Sequence, residues 1–196
     1  MINISKKLIL IPLFLLIVTG CTGTQVKIDP KEDLFKSNYL PSESYPTLGL
    51  RDITSTKKYP LAGNMTNGFA LEIKKTGFAK EIVHPIRPKD NIEFILDSKF
   101  NVLMNPNTGS SLAKSFITGL TFFLLEPVFW YHFEYTLDGN VTLLKNGKPI
   151  KTVHAKTDAI MSMKWLSLGE ASTLEPKTLK KAKISLYRQL MEKIKK

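Results

Sequence analysis

The dipeptide Asn146-Gly147 constrains the architecture of this chain more than any other pair of residues. Asn-Gly suits the two-residue hairpin turn because both central positions need a positive φ. On its N-terminal side Tyr131, Phe133, Tyr135, Leu137, Val141 and Leu143 are all odd-numbered, so one face of a long strand runs through Asp138-Gly139. A kink or bulge at Gly139 fits that pattern better than a second tight turn. On the C-terminal side a return strand is expected from about Pro149 to Met161, with Pro149 suiting an edge position. A hairpin this long needs a sheet, and the sheet needs helices over its apolar face.

The remaining periodicity supplies them. Thr47 to Ile53 reads as a strand, and Asn64 to Thr76 as a helix in which Met65, Phe69 and Ile73 form one stripe. Asn64 can cap its start, and Gly77 stands where a left-handed C-terminal cap belongs. Lys80 to His84 is a short strand stopped by Pro85, and Asn91 to Met104 alternates with period two. Thr173 to Lys196 is the last helix, with Leu179, Leu186, Tyr187, Leu190, Met191 and Ile194 on one face and Pro176 expected in its first turn. The order strand, helix, strands, hairpin, helix predicts an α+β fold: an antiparallel sheet of four to five strands with two helices packed on one face.

Upstream of this domain, assigned to residues 47–196, the chain is organised around its single cysteine. Lys6 and Lys7 precede an uncharged apolar run, Leu8 to Val18, of eleven residues. That is the length of a signal-peptide core and well short of the roughly 20 residues a spanning helix needs. Val18-Thr19-Gly20-Cys21 resembles the lipobox of bacterial lipoproteins. The resemblance implies cleavage between Gly20 and Cys21, a diacylglycerol thioether on Cys21, and acylation of the new amino group. Thr22, where an aspartate would signal inner-membrane retention in the enterobacterial pattern, implies the outer membrane, facing the periplasm. Residues 1–20 are then a signal peptide and 21–46 a flexible tether, with one helical turn near Lys31 to Lys36.

The formal charge is +11, and +9 once Lys6 and Lys7 leave with residues 1–20. Behind a lipoprotein signal, that charge reads either as a lysine-rich solvated surface or as a match for anionic lipid, lipopolysaccharide or wall glycan, and not for nucleic acid. With its sole cysteine used by the anchor, the chain has neither a disulfide framework nor a thiol nucleophile. The line Ala70 to Val83, helix–Gly–strand, is similar to a unit of small envelope lipoproteins such as the TolB N-terminal domain and peptidoglycan-synthase activators. That resemblance implies an adaptor and no enzyme.

Two surfaces are candidates for binding. Leu112 to Tyr135 holds eight of the nineteen aromatic residues, and it reads either as a core segment feeding the sheet or, since this is more than one sheet face can bury, as an exposed surface on which Phe122, Phe123, Phe129 and Trp130 anchor another envelope protein. The alternative is an anionic lipopolysaccharide or cell-wall glycan held by Lys180, Lys181, Lys183 and Arg188 on the last helix.

Catalytic patterns are thin. Ser111-Leu112-Ala113-Lys114 and Lys75-Thr76-Gly77 match the S-x-x-K and K-T-G of penicillin-binding proteins. Their order is reversed, no S-D-N lies between them, and the chain is too short, so a periplasmic serine hydrolase using Ser111 and Lys114 is a distant alternative. His84, His132 and His154 lack metal-ligand spacing, Asn107 to Ser111 is at most an anion nest, and Glu134 and Asp138 share a strand face as solvated carboxylates. Neither a metal nor a cofactor is expected. The sequence thus predicts a lipid-anchored, non-catalytic accessory protein of the bacterial envelope.

Overall fold

In a computed structural model of the chain, which describes residues 23–53, 65–106 and 129–196, Asn146 and Gly147 have φ of 50° and 78°. Both central residues of the hairpin are therefore left-handed, as a type I′ turn requires. The elements in order are β1 (Thr24–Asp29), a 3-10 turn (Glu32–Leu34), β2 (Tyr45–Leu50), α1 (Met65–Thr76), β3 (Ala79–Val83), β4 (Phe94–Pro106), β5 (Trp130–Lys145), β6 (Lys148–Lys164), a 3-10 helix (Trp165–Glu170) and α2 (Ala171–Lys195). Among the described residues the strands form one six-stranded sheet in the order β1-β6-β5-β4-β2-β3. The fold is α+β.

The pairing differs from the antiparallel sheet expected. β2 pairs in parallel with β3, Leu48 opposite Ile82, and in parallel with β4, Leu48 opposite Phe94. The reason is the β2-α1-β3 order: a helix between two neighbouring strands carries the chain back to its starting end, so the second strand runs the same way as the first. The sheet is mixed, and it has six strands because β1 adds one from the segment read as tether.

That segment is a further correction. Residues 24–29 are the edge strand β1, and the chain after it is tied down along its length. Ser185 Oγ donates to Pro30 O at 2.5 Å, Tyr39 N–H to Thr76 O at 2.7 Å, and Ser44 Oγ to Gly77 O at 2.5 Å. Backbone carbonyls accept all three, from two hydroxyls and a backbone N–H, so no apolar period marks them in the sequence. Pro149 is not on an edge strand, since β6 lies between β1 and β5, but six residues of β1 cannot pair along all seventeen of β6.

The described residues divide into two compact units. The first comprises residues 23–27, 105–106, 129–134 and 160–176; the second comprises 28–53, 65–104, 135–159 and 177–196.

In the second unit α1 and α2 meet over β4 and β5. Phe69, Phe100 and Tyr187 form a triangle of rings with centroids 4.9–5.7 Å apart, and all three side chains are buried. Leu48, Leu50, Ile73, Leu96, Leu137, Val141, Leu186 and Leu190 are fully enclosed around them. Each such side chain contributes about 1.5–3 kcal/mol by leaving water. β5 runs through Gly139 without a break, and the glycine serves a close approach in place of the expected kink. A Cβ there would lie 2.6 Å from the Phe100 ring. α1 ends in a Schellman motif: Gly77 at φ 68° donates to Lys74 O, and Phe78 N–H reaches Ile73 O at 3.1 Å.

The outer face of the sheet is polar and cross-linked by side chains. Thr136 donates to Asp158 at 2.7 Å, His154 lies 3.0 Å from Asp138, and Thr142 lies 3.0 Å from Thr152. α2 begins at Ala171, so Pro176 is its sixth residue and lies beyond the expected first turn. Pro176 leaves the carbonyl of Ser172 without its helical donor, and the division between the two units falls at Pro176–Lys177.

Candidate functional site

The first unit assembles a site around Gly23. The backbone N–H of Gly23 donates to Ser167 Oγ at 3.0 Å, and its carbonyl accepts from Lys164 N–H at 3.0 Å. The indole of Trp130 lies so close that a Cβ on Gly23 would be 3.3 Å from its Cη2. Lys164 Nζ stands 5.5 Å from the Trp130 ring centroid, within cation–π range. Phe129, Trp130 and Tyr131 are each half-buried. The strand that follows Gly23 exposes Gln25, Val26 and Lys27.

A cleft of about 390 Å³ in the same unit is lined by Gln25, Val26, Lys27, His132, Glu134, Ile160 and Ser162. In it His132 Nδ1 lies 2.8 Å from Ser162 Oγ. A hydroxyl beside an imidazole is the start of a nucleophile–base arrangement, though here the pair also serves as one more cross-strand contact. Thirty residues separate the two in sequence, and only the hairpin register brings them together.

In the second unit the basic helix face is partly spent on structure. Arg188 Nε donates to Glu72 Oε1 at 2.7 Å, with the two side chains 12% and 5% exposed. Lys183 is half-buried, and burial lowers its amine pKa from the ordinary value. Lys180 and Lys181 are exposed. Of the four residues expected to meet an anion, two remain on the surface.

A second cleft, about 590 Å³, surrounds the end of α2 and is lined by Leu34, Lys36, Tyr39, Ser42, Glu43, Glu192, Lys195 and Lys196. Lys36 pairs with Glu43 at 2.6 Å and Lys196 with Glu192 at 2.5 Å. These ammonium groups hold both carboxylates below their usual pKa through hydrogen bonds. Lys195 Nζ lies 3.7 Å from the Tyr45 ring centroid and donates to the carbonyl of Glu43. Burial lowers its amine pKa, while Glu43 opposes that shift. The Tyr39 hydroxyl is buried without a hydrogen-bond partner among the described residues, and burial together with Glu192 and Glu43 raises its pKa.

A third cleft, about 420 Å³, opens at the carboxyl ends of β2 and β3, between Arg51, Asp52, His84, Arg87 and an apolar floor of Leu50, Ile86 and Ile95. His84 Nδ1 lies 3.0 Å from Leu50 O, and Nε2 lies 3.5 Å from Asp52. No group of three or more His, Cys, Asp or Glu side chains suited to a metal occurs among the described residues.

Neither the family models nor the curated proteins contain a match to this chain. Two solved structures of PelC from Paraburkholderia phytofirmans are similar. The dodecamer of a point variant aligns over 85% of this chain and 99% of that one, at 13% identity and a TM-score of 0.35. A second dodecamer aligns over 86% and 96%, at 13% identity and a TM-score of 0.34. Neither likeness bears on the site.

Of the residues singled out from sequence, Trp130 falls in the site around Gly23, Phe129 precedes it in the same unit, and Lys180, Lys181, Lys183 and Arg188 lie on α2. Gly20, Cys21, Ser111, Lys114, Phe122 and Phe123 lie outside the described residues. Sequence reasoning missed Gly23, Lys164 and Ser167. Their one legible signal was the nearness of Gly23 to Cys21. It also missed Tyr39 and Lys195, which 156 residues of chain separate.

Proposed function

We propose that this chain is a lipid-anchored, non-catalytic lipoprotein of the bacterial cell envelope, held in the outer membrane and facing the periplasm, where it acts as an adaptor for another envelope protein. One observation carries the reading: Lys6 and Lys7, the uncharged run Leu8 to Val18, and Val18-Thr19-Gly20-Cys21 with the chain's only cysteine. Two or three acyl chains on one residue anchor essentially permanently, since each buried CH₂ is worth about 0.8 kcal/mol. The polar sheet face supports a scaffold role, because its side chains are engaged with one another across the strands.

The test is metabolic labelling with a clickable palmitate in a bacterial host. The intact chain should incorporate label and sediment with outer membranes, and Cys21→Ser should do neither. An unlabelled chain recovered free in the periplasm would overturn the reading. Crosslinking in intact cells from exposed Lys180 then identifies the protein partner. Recovery of lipopolysaccharide at that position, with salt-sensitive binding, would favour the glycan alternative.

A further inference from the structure

We propose that the part of the first unit bearing Gly23, Phe129, Trp130 and Lys164 is a bilayer-contact surface, seated in the headgroup layer of the membrane that holds Cys21. This rests on the lipid-anchor reading above and specifies what the anchored protein presses against.

The argument is one of reach. Gly23 is fixed to its own unit by two hydrogen bonds, its N–H to Ser167 Oγ and its carbonyl from Lys164 N–H, and the Trp130 indole occupies the side where a Cβ would project. Only Thr22 stands between Gly23 and Cys21. An extended chain advances at most about 3.6 Å per residue, so the Cα atoms of Cys21 and Gly23 are within roughly 7 Å of each other. The headgroup layer on each side of the hydrocarbon core is about 5–8 Å deep. Whatever packs on Gly23 is therefore held within about one headgroup layer of the lipid attachment. A protein partner docking on the same residues would have to share that space with lipid.

The chemistry of the patch suits the same occupant. Tryptophan is enriched at the membrane–water interface because its ring is apolar and its N–H needs a wet partner. Lys164 lays its stem beside Gly23, holds its ammonium 5.5 Å from the centroid of that ring, and carries the charge that meets lipid phosphate. Lys27 is exposed four residues along from Gly23. The half-burial of Phe129 and Trp130 leaves ring surface for lipid without making either a spanning element.

The experiment uses the lipidated protein purified from bacterial membranes, with acylation of Cys21 verified by mass, in vesicles of phosphatidylethanolamine and phosphatidylglycerol. Trp165→Phe leaves Trp130 as the only tryptophan. Lipids brominated next to the headgroup should reduce its emission to roughly half, and lipids brominated at the chain ends should have little effect. A parallel Trp130→Phe protein should lose that quenching, which covers the case of a misfolded Trp165→Phe. Inserting about ten Gly/Ser residues after Thr22 adds roughly 17 Å of reach and should abolish the quenching while acylation persists. Unquenched emission in the acylated protein, or a crosslink from position 129 to a protein and none to lipid, would overturn the bilayer surface and leave the anchor standing. An unacylated Cys21 would overturn both.

Discussion

Arg188 and Glu72 form an ion pair at 2.7 Å that is almost wholly shut off from water, joining α2 to α1 across 116 residues of sequence. A charge removed from water is costly unless its partner stays in place. Glu72→Gln or Arg188→Met alone is therefore expected to destabilise the second unit by about 3–5 kcal/mol. The double variant Glu72→Leu, Arg188→Met should recover most of that loss. Denaturant midpoints of the three proteins test this, and a double variant no more stable than the singles would contradict it.

Gly139 tests the packing of β5 on β4. Its Cβ position is filled by the Phe100 ring, with Leu190 Cδ1 also only 3.1 Å away. Gly139→Ala should cost about 1–3 kcal/mol through overpacking. Shrinking the neighbour with Phe100→Leu should reduce the penalty of the alanine, measured as a thermodynamic cycle by thermal unfolding. If Gly139 served as a bulge, the Phe100 substitution would leave the penalty unchanged.

Gly77 has φ of 68° and closes α1. A side chain in that conformation costs about 1–2 kcal/mol, so Gly77→Ala should lower the midpoint of unfolding by a corresponding amount. Gly77→Asn should fall between the two, since asparagine tolerates the left-handed region better. Equal effects of alanine and asparagine would count against the cap.

Alkaline pH should unfold the protein steeply. Burial raises the phenol pKa values of Tyr39, Tyr45 and Tyr187 above the usual 10.0. The folded chain keeps protons that the unfolded chain releases. That stabilisation is complete below about pH 10 and is lost as pH climbs through the folded values. Lys183 and Lys195 act in the other sense: burial lowers their pKa, so stability rises with pH between the lowered values and the usual 10.5. The expected profile rises gently on the alkaline side and then falls off above about pH 10. On the acid side Glu43 and Glu192, whose pKa values are lowered, support the fold above the usual 4.5, and that support fades as pH falls through the lowered values. Denaturant midpoints against pH, with tyrosinate absorbance recorded alongside, check both limbs. Tyrosines that all titrated together before unfolding would refute the alkaline part.

Local signals carried far in this chain. Asn146-Gly147, the stripe Met65, Phe69 and Ile73, the cap at Gly77 and the apolar face of α2 all state their conformation within a few residues. The parallel pairing of β2 and β3 was readable too, because strand, helix and strand follow one another between residues 47 and 84. Reading that order as part of an antiparallel sheet set aside the crossover it implies. What could not be read rests on distant partners. Glu72 reads as a solvated helix residue until Arg188 arrives beside it. β1, Thr-Gln-Val-Lys-Ile-Asp, buries no side chain fully and so shows no strand period worth trusting. Of the candidate site, the aromatic density around Phe129 and Trp130 was visible, whereas the packing of Trp130 on Gly23 depends on the whole length of β6 being in place.

That last dependence sets an order in time. Gly23 is among the first residues of the described chain to be synthesised, yet the groups that hold it, Trp130, Lys164 and Ser167, follow more than a hundred residues later. Contacts of such separation form late and slowly. The segment from Gly23 into β1 must therefore wait for its partners until the chain has been made as far as Ser167.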